Sequence, residues 1–210
     1  MRVIDCVQGS AEWLTLRRGV ITGTKLEQAF KQSEALKNHL LAERMITYMP
    51  EGGTSADMDK GNALEPLARQ AYAKESGNDG VEVGFILHPD RDDIGISPDW
   101  IIDDGKKAAE FKCPKWFTHI EYMRSDLPPK KYLFQLVHYF LCIPQLESID
   151  FVSFDELNEV RPLDIKTFTL EDLLNIEYLK GKKIGTMENL QDKVFSFADS
   201  IHEEYNRLIF

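Results

Sequence analysis

Residues 94–113 read IGISPDWIIDDGKKAAEFKC, and this stretch decides the architecture. Ile94 to Ile102 and Lys106 to Cys113 are two β-rich runs. Asp103-Asp104-Gly105 between them is a turn sequence, so the stretch predicts a β-hairpin. On the second arm Glu110 and Lys112 are two residues apart, which puts both side chains on one face and turns Phe111 the other way, into the core. Asp99 ends the first arm with ten residues between it and Glu110, so a suitable register brings it beside them. Two carboxylates and a lysine on one face form a poor structural cluster, because buried charges are costly unless they pair tightly or bind metal. They suit a hard cation: Mg2+ takes a few carboxylate oxygens, keeps several waters and leaves room for phosphate oxygens. On spacing alone, an ion pair across an exposed hairpin remains the plain alternative.

Outward from the hairpin the periodicity changes. Upstream, Val81, Val83, Phe85 and Leu87 alternate as in a strand, and the first quarter of the chain looks helical. Ser10 opens a short helix ending near Gly19, and Thr24 with Glu27 forms a capping box for another. Two longer helices are expected over Ser33 to about Met49 and Thr54 to Ser76, with Gly77 as a stop and Pro66 as a kink or a fresh start. The Gly52-Gly53-Thr54-Ser55 run is the one Gly/Ser-rich break. Downstream, Trp116 to Arg124 and Lys131 to Ile143 read as helices, the second with Phe134, Val137, His138 and Leu141 on one face. Ile149 to Phe154 and Leu163 to Phe168 alternate as paired strands, and Thr169 caps a helical segment. A last helix from about Met187 carries Leu190, Val194, Phe197, Ile201, Tyr205 and Leu208 as a packing stripe. The expectation is one domain over 1–210: a helical part at about 10–76, a sheet core at about 81–168, and C-terminal helices at about 170–210.

Bulk properties narrow the function. A chain of 210 residues with 43% apolar content can bury one sizeable core. It has no apolar run near the ~18 residues of a membrane span, and no opening stretch that reads as a secretory signal, which makes the cytoplasm the expected compartment. Cys6, Cys113 and Cys142 are odd in number and far apart, as expected of reduced, buried thiols. A net charge of −10 argues against a protein that holds nucleic acid merely by being basic. The cations do cluster, at Arg17-Arg18, Lys112-Lys115, Arg124 and Lys130-Lys131.

Pro98-Asp99 followed by Glu110-Phe111-Lys112 resembles the PD-(D/E)xK nuclease motif, which is loose by itself. It is sharpened by Trp13-Leu14-Thr15-Leu16-Arg17-Arg18-Gly19-Val20-Ile21-Thr22, Ser97-Pro98-Asp99, Glu110-Phe111-Lys112-Cys113-Pro114 and Gln135. These occur in the order seen in phage lambda exonuclease and related YqaJ-type viral recombinases, over roughly residues 8 to 143. The resemblance implies an α/β (α+β) fold with a restriction-endonuclease-like core, a central mixed sheet flanked by helices. It implies a 5′-to-3′ exonuclease that digests one strand of duplex DNA from its end to mononucleotides, leaving a 3′ overhang for recombination. Asp99, Glu110, the Phe111 carbonyl and Glu65 match the ligands of Mg2+, for which Mn2+ can substitute, with two ions per site. Lys112 matches the catalytic lysine. Arg17, Thr24, Ser97 and Gln135 match the pocket for the terminal 5′ phosphate, with Trp13 one helical turn before the arginine. The resemblance also implies a homotrimeric ring around DNA, a single-strand annealing partner and a bacterial host's cytoplasm.

Trp100 departs from the small residue that usually follows the motif aspartate. His138 carries no required chemistry and is expected to pack. Two alternatives stay open. One is another nuclease on the same core, although a Cas4-like cluster needs four cysteines. The other is a DNA-binding protein that kept the fold without catalysis.

Overall fold

The computed structural model describes residues 1–47 and 56–210. The first half runs β1 (Arg2–Ile4), α1 (Ala11–Leu16), α2 (Leu26–Phe30), α3 (Glu34–Met45), α4 (Ala56–Ser76), β2 (Gly80–Val81), β3 (Phe85–His88) and β4 (Arg91–Ile96). The second half runs β5 (Trp100–Ile102), β6 (Lys107–Lys112), α5 (Trp116–Met123), α6 (Lys130–Cys142), β7 (Ser148–Phe154) and β8 (Leu163–Phe168). It closes with α7 (Leu170–Asn175), β9 (Glu177–Leu179), β10 (Lys182–Lys183) and α8 (Met187–Ile209).

The central sheet has five strands in the order β2-β5-β6-β7-β8, flanked by helices as expected of a mixed α/β core. Only β6 and β7 run parallel in it, and parallel neighbours need a crossover, which α5 and α6 supply. β1, β3 and β4 form a separate antiparallel sheet. α6 is buried on nearly every side, from Leu133 through Cys142, and forms the axis of the core between the sheets and α2. That burial explains why its sequence is apolar almost all round.

The expected hairpin exists: β5 pairs antiparallel with β6, Trp100 opposite Ala109. Its first arm is shorter than the sequence suggests. The Ile94 to Ile102 run is two strands in two sheets, broken at Ser97-Pro98-Asp99, where Pro98 has no N–H to offer a ladder. The Val81 to Leu87 run divides the same way, Val81 pairing with β5 and Phe85 onward with β1 and β4. One side chain makes both breaks affordable: Gln8 Nε2 donates to the Val83 and Pro98 carbonyls, each at 2.9 Å, in place of a strand partner.

Other expectations are corrected nearer the termini. The first quarter opens with a strand, β1. Ser10 caps α1, accepting from the Trp13 N–H, and Ser33 caps α3, accepting from that of Leu36. The Thr24 capping box does not form. Lys25 N–H bonds the Thr22 carbonyl at 2.8 Å, closing a 3-10 turn over Gly23–Lys25 that leaves Thr24 inside helical backbone, where an N-cap cannot sit. α3 stops at Met45 rather than near Met49. The Gly52–Ser55 break and the Thr54 helix start lie outside the described residues. α4 runs on through Pro66. Thr169 does cap α7, in a capping box with Asp172, but the β9–β10 hairpin follows where only helix was expected.

α8 buries its stripe from Leu190 to Ile201, whereas Leu208 is exposed. Truncating Phe197 in the middle of it to alanine would cost about 3–5 kcal/mol. The helix is also tied to β4 by charge. Arg91 forks onto the Asp93 carboxylate with two bonds of 2.9 Å and reaches Asp199 on α8 at 2.7 Å, while His202 Nε2 meets Asp93 at 2.9 Å. Burial works against the Asp93 charge, but Arg91 and His202 hold its pKa below the usual carboxylate value. No helix among the described residues is long and apolar enough to cross a membrane.

Candidate active site

The register of the hairpin sets the site. With Trp100 opposite Ala109, the next position out brings Asp99 to the level of Glu110, and Asp99 Oδ2 accepts the Phe111 N–H at 2.8 Å. Asp99 thereby satisfies the backbone of the neighbouring strand where the β5 ladder ends. The pleat turns Glu110 and Lys112 to one side, where the ammonium bonds Glu110 Oε1. Phe111 goes the other way, against the edge of Tyr72 at a centroid distance of 5.5 Å.

α6 completes the cluster. Gln135 and Tyr139 stand four residues apart on one face. Gln135 Nε2 donates to Glu110 Oε1 and Tyr139 Oη to Glu110 Oε2, each at 2.5 Å, while Tyr139 Oη also accepts the Asp99 N–H at 3.1 Å. The wholly buried Glu110 carboxylate is thus held by two neutral donors and one cation. Sequence reading missed Tyr139, although its four-residue spacing from Gln135 was visible.

The charges do not balance. Burial, then the nearby Glu110 carboxylate, push the Asp99 pKa well above the usual value, with only partial relief from Lys112. For Lys112, burial alone would lower the pKa, but Glu110 and Asp99 outweigh it and keep the ammonium protonated above its ordinary range. Glu65 sits within electrostatic reach of Glu110 and Lys112, and burial raises its pKa. Its carboxylate nevertheless turns to Arg69, which also bonds Glu82 at 2.8 Å and lies 5.4 Å over the Trp100 ring. Trp100 therefore walls Arg69 rather than the carboxylates. It leaves no room for a side chain at residue 80, since a Cβ on Gly80 would lie 2.4 Å from the indole nitrogen.

Among the described residues no three His, Cys, Asp or Glu side chains converge as a metal cage. Asp99 and Glu110 do fit a hard cation that keeps most of its water. A small set of oxygen donors is what Mg2+ uses, and crowded negative charge that drives one acid toward protonation is what a divalent ion relieves.

A second group gathers on Ser97. Arg17 NH1 and Trp13 Nε1 each donate to its Oγ at 2.7 Å, and the guanidinium stacks 4.1 Å over the Trp13 ring. Arg17 has no ion-pair partner among the described residues, and burial lowers its pKa to about 10. A half-buried arginine stacked on an indole without a carboxylate is a ready anion site. Gln135 belongs to the Glu110 cluster instead, and Thr24 is exposed with no hydrogen bond to Arg17 or Ser97. The turn carrying Thr24 does pack on Gln135: a Cβ at Gly23 would sit 3.2 Å from Gln135 Cγ. His138 is fully buried, with Nε2 3.0 Å from the Gly95 carbonyl.

Beside Lys112 lies a cavity of about 430 Å³ lined by Lys60, Glu65, Lys112, Lys115, Lys131 and Tyr132, among others.

Residues 12–143 match the family described as the YqaJ-like viral recombinase domain. The chain matches none of the curated proteins. Among solved structures it is similar to an alkaline exonuclease, LHK-Exo, from Laribacter hongkongensis. The two are 26% identical over 95% of this chain and 96% of that one, with a TM-score of 0.80. The same coverage holds for LHK-Exo in complex with dAMP, at 25% identity and a TM-score of 0.79. A phage related exonuclease from Haemophilus somnus 129PT shares the fold, with a TM-score of 0.60 and 14% identity over 90% of this chain and 95% of that one.

Proposed function

The chain belongs to the YqaJ-like viral recombinase domain family, and on that premise we propose that it is a DNA exonuclease of the phage recombination type. In full, the reading is a Mg2+-dependent 5′-to-3′ exonuclease that processively digests one strand of linear duplex DNA to mononucleotides. The 3′ overhang it leaves serves recombination by strand annealing. The observation that carries it is the Asp99–Glu110–Lys112 cluster, where a fully buried carboxylate is held in place beside a second acid whose charge is only partly offset. The likeness to LHK-Exo over nearly the whole of both chains supports the same reading.

Asp99 and Glu110 would hold the ion, with the Phe111 carbonyl as a further oxygen and Glu65 as the acid for a second ion once it leaves Arg69. When bound, Mg2+ or Mn2+ polarises the scissile phosphate and makes water a better nucleophile at neutral pH. Tyr139 and Gln135 fix both oxygens of Glu110, so the carboxylate needs no reorganisation as the reaction proceeds. Lys112 is held protonated, so it acts as a donor that orients the attacking water and steadies charge on the phosphate, not as the base. At the other group, Ser97 Oγ already accepts two bonds, which leaves its own proton to donate. Together with the Arg17 fork it forms a seat for a terminal 5′ phosphate.

A homotrimeric ring, a phage single-strand annealing partner and the cytoplasm of a bacterial host complete the proposal. The ring would let an acidic chain stay on DNA by topology. The decisive experiment is digestion of linear duplex labelled separately at each end, with and without Mg2+. Mg2+-dependent loss of the 5′ label as mononucleotide is expected, and loss from the 3′ end first, or digestion indifferent to divalent metal, would overturn it. A mass measurement in solution tests the trimer.

A further inference from the structure

The cavity beside Lys112 continues onto a surface that hydrolysis itself leaves unused. Between 112 and 131 the chain carries Lys112, Lys115, Arg124, Lys130 and Lys131 against Glu121 and Asp126, in a protein whose net charge is −10. Of these cations Lys112, Lys115 and Lys131 line the cavity, together with Lys60. On the first turn of α5, immediately after Lys115, Trp116 and Phe117 are 63% and 48% exposed. Their rings meet edge to face with centroids 5.4 Å apart, and Ile120 one turn on is also exposed.

An exposed tryptophan braced by a second ring is neither core nor ordinary surface. Lysines flanking exposed aromatic faces are the composition of a surface that binds single-stranded nucleic acid, where cations track the backbone and a ring stacks on any base. The patch adjoins the cavity that contains Lys112, which favours a ligand that also enters that cavity over a partner docked at a remote face. A strand that enters this cavity unpaired has bases lifted from their stack, and such a base needs a new apolar partner.

We propose that Trp116, backed by Phe117, is a stacking platform for an unpaired base of the strand being cut, with Lys115 and Lys131 facing its phosphates. This rests on the exonuclease reading. The test is fluorescence anisotropy with the full chain in EDTA, so that nothing is cut, on a duplex with three unpaired nucleotides at one 5′-phosphorylated end and its fluorophore at the far end. W116A should weaken binding roughly 5- to 150-fold, the range for loss of one base–aromatic stack, and W116F should stay within roughly threefold of wild type. The W116A penalty should vanish when the unpaired nucleotides are abasic, because the two changes remove the same contact.

Equal binding by W116A and wild type overturns the platform, as does a penalty that is unchanged on abasic DNA. So does a W116A variant that alters only the mass of the assembly, which would make the patch a contact between copies. Failure of the exonuclease reading would instead appear as wild-type protein that leaves duplex ends intact in Mg2+, whatever these binding ratios are.

Discussion

Asp93 and Glu110 are both buried acids on β-strands, yet they are neutralised in opposite ways. Asp93 receives the forked guanidinium of Arg91 and the ring of His202, and its pKa falls. Glu110 receives one ammonium and two neutral donors, with Asp99 beside it pushed toward protonation. The first cluster is complete as it stands and fastens α8 to the edge of β4. The second is rigid but short of positive charge, the condition for taking up a cation. Counting buried acids would not separate the two, but the balance of charge around each does.

The sharpest way to break this contrast is Glu110→Gln. Digestion should fall by ~1000-fold or more, while the loss of stability in urea stays smaller than for Asp93→Ala, because Asp99 is relieved of its neighbour's charge and can ionise beside Lys112. Lys112→Ala should match it in activity, and undiminished digestion by either variant would sink the assignment. Asp93→Ala should do the reverse. Leaving Arg91 and His202 without their acid should cost about 3 kcal/mol in urea unfolding, with the surviving folded protein still active. A loss of activity at full stability would show that the two clusters are not separable.

His138 bridges the two regions, since it lies on the helix of Gln135 and Tyr139 and bonds the Gly95 carbonyl on the strand of Asp93. Burial lowers its pKa from 6.5 to about 3. Between those values the unfolded chain holds a proton that the folded chain lacks, so stability rises with pH across the window and is lost as pH falls through it. At pH 5 the loss should be about 2 kcal/mol, and His138→Gln should flatten the curve of unfolding free energy against pH by that amount. An unchanged slope would mean that His138 takes up its proton while folded. The smallest effect belongs to Arg17→Ala, for which a ~10-fold loss of preference for 5′-phosphorylated over 5′-hydroxyl ends is expected. Retained preference in end-resolved digestion would remove Arg17 from the phosphate seat.

The hairpin and the shared face of Glu110 and Lys112 were legible because strand periodicity and a turn sequence are local. The division of residues 80–102 between two sheets was not, since it depends on Gln8, some 75 positions from Val83, supplying the missing hydrogen bonds. Tyr139 was readable in principle but hidden on a helix apolar all round, where a tyrosine passes for packing. Thr24 was misread because a capping sequence also fits a 3-10 turn, and the carbonyl of Thr22 decided between them. Glu65 was singled out only by the family resemblance, and its commitment to Arg69 required the fold.

The bond from the Phe111 amide to Asp99 has a spectroscopic consequence. That single proton lies inside the cluster, on the residue between Glu110 and Lys112, so its chemical shift and its exchange with solvent will follow whatever binds or leaves Asp99. In a 15N-labelled sample, one backbone resonance becomes a meter for occupancy of the site, readable without any substrate.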